Sequence, residues 1–241
     1  MSPKEKNKPF VLLCTGMSLD GKISTSKRVD TRITTDDDRN FLYDHRVPCD
    51  AIMMGGKSII LDDPGLVVKS VQRQKQRLAL GKTLEPIKVG IVSDVSKLKT
   101  NGDFFNKGDA KIIIFTTERS SEKKIKALRD KAEIFVYGKQ KVNLKRALAK
   151  LYTMGIKSIM VEGGGELIFS LLKDDLVDEI NLKIGDLILG GRIAPTLCDG
   201  EGFSGLAAKQ VKLVDLKRKE NYLMLKYKVI KTDKKITSPN K

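Results

Sequence analysis

The stretch GIKSIMVEGGGELIFSLLK, residues 155–173, decides how the rest of the chain is read. Its first part, 156–161, is short and mostly apolar, with two Ile and a Val, the make-up of a buried strand. Glu162, three consecutive glycines (Gly163, Gly164 and Gly165) and Glu166 come next. Leu167, Ile168, Leu171 and Leu172 then recur at helical spacing, which predicts a helix from about Glu166. A strand, a glycine turn and a helix leave backbone N–H groups free at the end of a sheet, and the helix dipole adds partial positive charge there. Glycines let a phosphate come close to that backbone. The pattern suits a nucleotide pyrophosphate. A plain tight turn is the alternative, because the run is neither Gly-x-Gly-x-x-Gly nor a P-loop.

A second turn of this kind lies upstream. Residues 51–54 read as a buried strand that ends in Gly55-Gly56-Lys57-Ser58, followed by a short helical turn over 58–61 and by Asp62-Asp63-Pro64-Gly65. In an open α/β sheet, loops at the carboxyl ends of neighbouring strands converge on one crevice. Two glycine loops therefore favour a cofactor site more than either does alone.

Further strands are expected at 10–14, 87–92, 111–115 and 133–137. Helices are expected from a Thr34 or Thr35 cap through Asp36 to Asp38 and on to Arg46, then over 121–131, and from Asn143 to a terminating Gly155. Asp20-Gly21 signals a hairpin turn. Beyond the helix at 166 the rhythm alternates, at 179–184, 211–216 and 222–230. The last two segments have no helix between them and so predict an antiparallel pair. The fold class is α/β: a mostly parallel central sheet flanked by helices, with an antiparallel C-terminal edge. It is read as a single domain over 9–230, with a disordered tail at 1–8 and a basic tail at 231–241.

The 241 residues carry 46 Lys and Arg against 30 Asp and Glu, a net charge of +16, which demands a nucleic-acid hypothesis. Against it, the cations are mostly Lys scattered among acids, with no Trp and no aromatic run to stack bases. Residues 69–82, KSVQRQKQRLALGK, read as a polar, mobile surface loop, with a short helix as the alternative, and as the best local candidate for a nucleic-acid contact. The spacing of Cys14, Cys49 and Cys198 fits neither a zinc site nor a disulfide framework, and His45, the one histidine, reads as a helix-surface residue. No metal site is expected. No apolar run reaches the length of a membrane span or of a signal-peptide core, so a cytoplasmic protein is expected.

Several short motifs occur in a specific joint order: Met17-Ser18-Leu19-Asp20-Gly21-Lys22, Arg32-Ile33, Arg46, Asp50-Ala51-Ile52-Met53 with Gly55, Asp62-Asp63-Pro64, Val161-Glu162-Gly163-Gly164, and Gly190-Gly191 with Ala194-Pro195-Thr196. In this the chain resembles the riboflavin-biosynthesis reductases: the C-terminal domain of the bacterial bifunctional deaminase/reductase and, more closely, the free-standing archaeal and fungal enzymes. The resemblance implies a dihydrofolate-reductase-like fold, a homodimer, and NADPH as cofactor, with NADH as the alternative. It implies reduction of a phosphoribosylamino-pyrimidine to its ribitylamino product, by hydride addition at C1 of the opened sugar. The deaminase's His-x-Glu and Pro-Cys-x-x-Cys zinc signature is missing, which points to a stand-alone reductase acting on the 2,5-diamino form.

By position, the resemblance implies cofactor contacts from Met17, Ser58, Asp62, Ser93, Gly163, Gly164, Gly165, Glu166 and Leu167. It implies substrate contacts from Asp30 or Thr31, Arg46, Leu66, Lys69 and Glu162. Arg46 and Lys69 suit a 5′-phosphate, and Glu162 suits pyrimidine amino groups. Ser58 stands where Thr is usual and Lys69 where the bacterial branch has Arg, which keeps the charge and loses the fork. No residue stands out as proton donor. Two other readings are a dihydrofolate or pterin reductase of the same fold and a basic nucleic-acid-binding module without chemistry.

Overall fold

The computed structural model describes residues 7–28, 33 and 38–231. In chain order the strands are β1 (Phe10–Met17), β2 (Ala51–Gly55), β3 (Ile87–Ile91), β4 (Ile112–Thr116), β5 (Glu133–Val136), β6 (Ser158–Gly163), β7 (Glu179–Ile184), β8 (Val211–Arg218) and β9 (Leu223–Val229). The helices are α1 (Asp38–Arg46), α2 (Gly56–Asp62), α3 (Val71–Ala79), α4 (Asp103–Asn106), α5 (Glu122–Leu128), α6 (Leu144–Thr153) and α7 (Gly165–Lys173).

The strands form one sheet of order β5-β4-β3-β2-β6-β1-β7-β9-β8. The pairs from β5 through β7 are parallel, while β9 runs antiparallel to both β7 and β8. The inner strands read as unbroken apolar runs because both of their faces are covered. Alternate residues divide between two cores. Val11, Leu13, Met53, Val89, Ile113 and Val161 pack against α6 and α7. Leu12, Cys14, Ile52, Ile114 and Met160 pack against the face carrying α1, α2 and α5. β8 is exposed along its whole length.

Several expectations are corrected. Residues 69–82 take the helical alternative rather than the mobile loop: Ser70 caps α3 by accepting from the Arg73 N–H at 3.2 Å, and Arg77 is fully buried. The polar sequence hid this because the buried group is itself charged. Lys8, in the expected N-terminal tail, donates to Asp178 at 2.5 Å, and Lys231, the first residue of the expected basic tail, donates to the same carboxylate at 2.7 Å. Asp20-Gly21 makes a tight turn in which the Gly21 N–H donates to Ser18 O, but no strand pair flanks it; Lys22 bridges only to Thr196. The strand expected at 156–161 starts later, because Ile156 still donates to Leu151 at the end of α6. Glu162 and Gly163 consequently belong to β6. The expected cap at Thr34 or Thr35, with Asp36 and Asp37, lies outside the described residues, as do residues 1–6 and 232–241.

Candidate active site

The two glycine turns meet because β2 and β6 are neighbours. A Cβ on Gly55 would lie 3.5 Å from the Gly164 nitrogen. Gly163 has φ 130°, a backbone region open to glycine. Gly164 caps α7 with no side-chain acceptor, so first-turn N–H groups of that helix lack a side-chain cap. The turn also has no room for side chains. A Cβ on Gly164 would come to 2.9 Å from Ser58 Oγ, and one on Gly165 to 2.5 Å from Asp199 Oδ2 and 2.6 Å from Thr196 O. Asp199 is fixed there by accepting both the N–H and the hydroxyl of Thr196, at 3.1 and 2.7 Å.

This turn lines a groove of about 1130 Å³ that runs over the carboxyl ends of β3, β2 and β6 to the segment 192–196. Of the expected cofactor residues, Ser58, Ser93, Gly164, Gly165, Glu166 and Leu167 line it. Gly163 leads directly into it, whereas Met17, at the end of β1, and Asp62, at the end of α2, are not among the lining residues. The cations Arg28, Lys57, Lys97, Lys141, Lys173 and Arg192 also line it. Several of its acids are already engaged. Glu201 takes Lys173 at 3.1 Å and faces Lys141 at 3.9 Å, and Asp94 accepts the Ser96 N–H at 2.8 Å.

The expected substrate residues gather elsewhere, on the α1 side of the sheet. Arg46 Nε donates to Glu162 Oε1 at 2.6 Å and Nη2 donates to Oε2 at 2.7 Å, a two-pronged pair. Nη1 donates to Val67 O at 2.6 Å. The two side chains are only 8% and 5% exposed. Burial works against the guanidinium charge, and Glu162 more than offsets it, so the Arg46 pKa rises. The fork expected to face a phosphate is thus occupied by Glu162. Leu66 is buried and Lys69 exposed, and both have left-handed backbones, with φ 48° and 60°. Such strain in side-chain-bearing residues collects at functional sites. Lys69 Nζ lies 5.9 Å from the centre of the Tyr43 ring, which also faces Arg46 and Arg73. Asp30 and Thr31 lie outside the described residues.

Sequence reasoning missed three features. The groove cations Lys57 and Lys97 sit just past the glycines and the β3 end, a position that could have flagged them. Asp20 fastens the segment beyond β7: it accepts the Leu189 and Gly190 N–H groups at 3.0 and 2.8 Å and the Ser18 hydroxyl at 2.6 Å. Those bonds, the Ser18 hydroxyl first, hold its carboxyl down at about 2. Arg77 carried no signal at all. Cys14 and Cys49 are buried, and burial pushes the Cys49 thiol up to about 12. Among the described residues no cluster of His, Cys, Asp or Glu could hold a metal ion, and no helix is long and apolar enough to cross a membrane.

A family model described as RibD C-terminal domain matches residues 9–223. A 2,5-diamino-6-ribosylamino-4(3H)-pyrimidinone 5′-phosphate reductase of Archaeoglobus fulgidus is 36% identical over 196 residues, 81% of this chain and 89% of the relative. The protein of that name from Methanothermobacter thermautotrophicus is 36% identical over 200 residues, 83% of this chain and 88% of the relative. Among solved structures, a pyrimidine reductase-like protein from Corynebacterium diphtheriae aligns with a TM-score of 0.78 at 22% identity, covering 96% of each chain, a likeness of fold.

Proposed function

The chain belongs to the RibD C-terminal domain family, and we propose that it is the reductase that turns a 2,5-diamino phosphoribosylamino-pyrimidine into its ribitylamino product in riboflavin biosynthesis. One observation carries this reading. Adjacent strands β2 and β6 end in side-chain-poor turns on one large groove, and β6 also bears Glu162 immediately before its turn. A dinucleotide held at the turn would therefore run beside a carboxylate aimed by Arg46.

The residues present fit such a cofactor. The α7 N-terminus has no side-chain cap, and the cradle at Gly164 and Gly165 is one that a Cβ would fill. Gly164, Gly165 and the Ser58 hydroxyl would hold the pyrophosphate, with Glu166 and Leu167 at the start of α7 and Ser93 at the β3 end. Met17 and Asp62 would complete the site from its margins. When bound, a reduced nicotinamide supplies the hydride. The chain's own contribution is positioning and charge complementarity. Glu162, oriented by Arg46, would accept hydrogen bonds from the pyrimidine amino groups. Because the Arg46 donors are engaged, the 5′-phosphate falls to Lys69, with the strained backbone at Leu66 shaping its approach. Asp30 and Thr31 are assigned to the substrate from the resemblance alone.

The finer assignments have their own support. Lys57 and Lys97 in the groove favour NADPH over NADH. The exposed β8, with Val211, Leu213, Val214 and Leu216 between 41% and 56% accessible, favours a homodimer. The basic surface is read as attraction for phosphorylated small molecules rather than nucleic acid, and the enzyme as cytoplasmic. The direct test is incubation of the purified protein with NADPH and the diaminopyrimidine ribosyl phosphate. The reduced nicotinamide absorbance should fall in step with formation of the ribitylamino product. Failure to turn over across a range of salt and temperature would defeat the reading.

A further inference from the structure

Arg77 lies on α3, in the excursion between β2 and β3, and its side chain is completely buried. Its Nη1 donates to the carbonyls of Arg46, Val47 and Cys49, at 3.0, 3.0 and 2.6 Å. Its Nε donates to Thr83 O at 2.8 Å. The Arg46 carbonyl ends α1, where it also accepts the Cys49 N–H at 3.2 Å, and those of Val47 and Cys49 follow just past it; a cation there also complements the helix dipole. Removing a guanidinium from water is costly, and the cost is offset only where its donors are used. Here Nε and Nη1 are used, the latter at the end of α1 and on the segment just past it, whereas Nη2 is buried with no hydrogen-bond partner among the described residues.

The same excursion holds Arg46 from other directions. Val67 O accepts from Arg46 Nη1. Glu85 fixes that strip by accepting the Val68 N–H at 2.8 Å, and it also accepts Gln74 Nε2 at 2.8 Å. On the same face of α3, Arg73 reaches Asp44 and Asn40 of α1, at 2.8 and 2.7 Å. Arg73 and Arg77 are one helical turn apart and both bind α1, but only Arg77 holds the backbone of Arg46 itself.

We infer that Arg77 is a positioning residue for the Arg46–Glu162 pair, so that the excursion between β2 and β3 sets the geometry of the substrate subsite. The inference rests on the assignment of that pair to the substrate. Arg77 touches no reacting group. It fixes the Arg46 backbone, Arg46 fixes the Glu162 carboxylate by a fork that tolerates little displacement, and Glu162 meets the pyrimidine.

The test compares Arg77→Lys, which keeps a charge but loses the fork, with Arg46→Lys, the double variant, and Lys75→Ala as a control at an exposed position of the same helix. For each, KM and kcat for the diaminopyrimidine substrate are measured well below the melting temperature, alongside NADPH affinity by thermal shift. Arg77→Lys is expected to raise KM roughly ten-fold with NADPH affinity unchanged. The double variant should be little worse than either single one, since both act on the same carboxylate. Lys75→Ala should leave KM alone. A lowered melting temperature with unchanged KM would reduce Arg77 to a helix clamp and overturn the inference. So would additive effects in the double variant, or KM and NADPH affinity worsening together. Absence of turnover by the wild-type protein would instead remove the assignment beneath it, and the inference with it.

Discussion

Arg46 and Glu162 stand 116 residues apart in the chain and meet through two parallel bonds of 2.6 and 2.7 Å. One ends a helix on the face of the sheet; the other lies on an inner strand, next to a glycine turn. Both side chains are nearly out of water. A buried pair of this kind is poor evidence of added stability, because desolvation cancels much of the attraction. It is better understood as a means of holding a carboxylate in one orientation.

The pair can be broken from either side, and the two outcomes should differ. Arg46→Ala leaves a buried carboxylate with no counter-charge, and chemical denaturation should show a loss of about 3–5 kcal/mol. Glu162→Gln removes the charge but keeps the shape; it should cost less stability and raise substrate KM more than NADPH Kd. An Arg46→Ala protein as stable as wild type would mean that the pair is open to solvent. Equal loss of substrate and NADPH binding in Glu162→Gln would remove its assigned role.

The turn at the head of α7 gives a steric prediction. A methyl on Gly165 meets Thr196 O at 2.6 Å, a backbone atom that cannot swing aside, together with the Asp199 carboxylate. Gly165→Ala should therefore displace the 196–199 segment and weaken NADPH binding by roughly ten-fold or more, with an overpacking cost of about 1–3 kcal/mol. Gly205 has open space around it, so Gly205→Ala serves as the matched control. Calorimetric titration showing the same NADPH Kd for both variants would place the dinucleotide away from this turn.

The Asp20 clasp has a defined acid limit. Its carboxyl is lowered from 3.8 to about 2 in the folded protein. The folded state therefore binds its proton less readily than the unfolded chain, so the contribution of the clasp is complete above the ordinary carboxyl range and fades as pH falls through about 2. The amides of Leu189 and Gly190 should stay protected from hydrogen exchange at about pH 3, where an ordinary Asp is mostly protonated. Asp20→Asn should weaken protection at both amides at every pH. A midpoint at the usual Asp value would show that the clasp does not form in solution.

The sheet was largely legible because its inner strands are apolar runs such as residues 112–116, IIIFT, and such runs have few other fates. The turn between β6 and α7 was legible because three glycines between an apolar run and a helical spacing have few other fates. The excursion after β2 was not, and the reason is local. Arg73 and Arg77 look alike in a sequence of Gln, Lys and Arg, yet one is half-buried and the other has no contact with water. Burial of an arginine depends on carbonyls supplied by residues 46–49, which no periodicity in 69–82 can report. In the same way, Arg46 and Glu162 were both assigned to the substrate but not to each other. Their contact exists only once α1 packs on the face of the sheet that carries β6.

On the proposed reading, cofactor choice would rest on the two groove lysines near the β2 and β3 ends. Lys57 sits in the first turn of α2, where the helix dipole disfavours a cation. Neither Lys57 nor Lys97 is in an ion pair among the described residues, although both line the groove. Two free cations in that position suit a further phosphate on the dinucleotide. NADPH should therefore raise the melting temperature more than NADH at equal concentration, because a ligand that binds only the folded form stabilises it according to its affinity. Lys97→Ala and Lys57→Ala should each erode the preference by up to about ten-fold in Kd, roughly 1.4 kcal/mol, and leave NADH binding unchanged. Raising the ionic strength should shrink the gap, since both lysines are exposed and screened by salt. Equal shifts with the two cofactors, or a preference that survives both substitutions, would move the selecting charge to another part of the groove, where Arg28, within electrostatic reach of Asp62, and Arg192 are the remaining cations without an ion pair among the described residues.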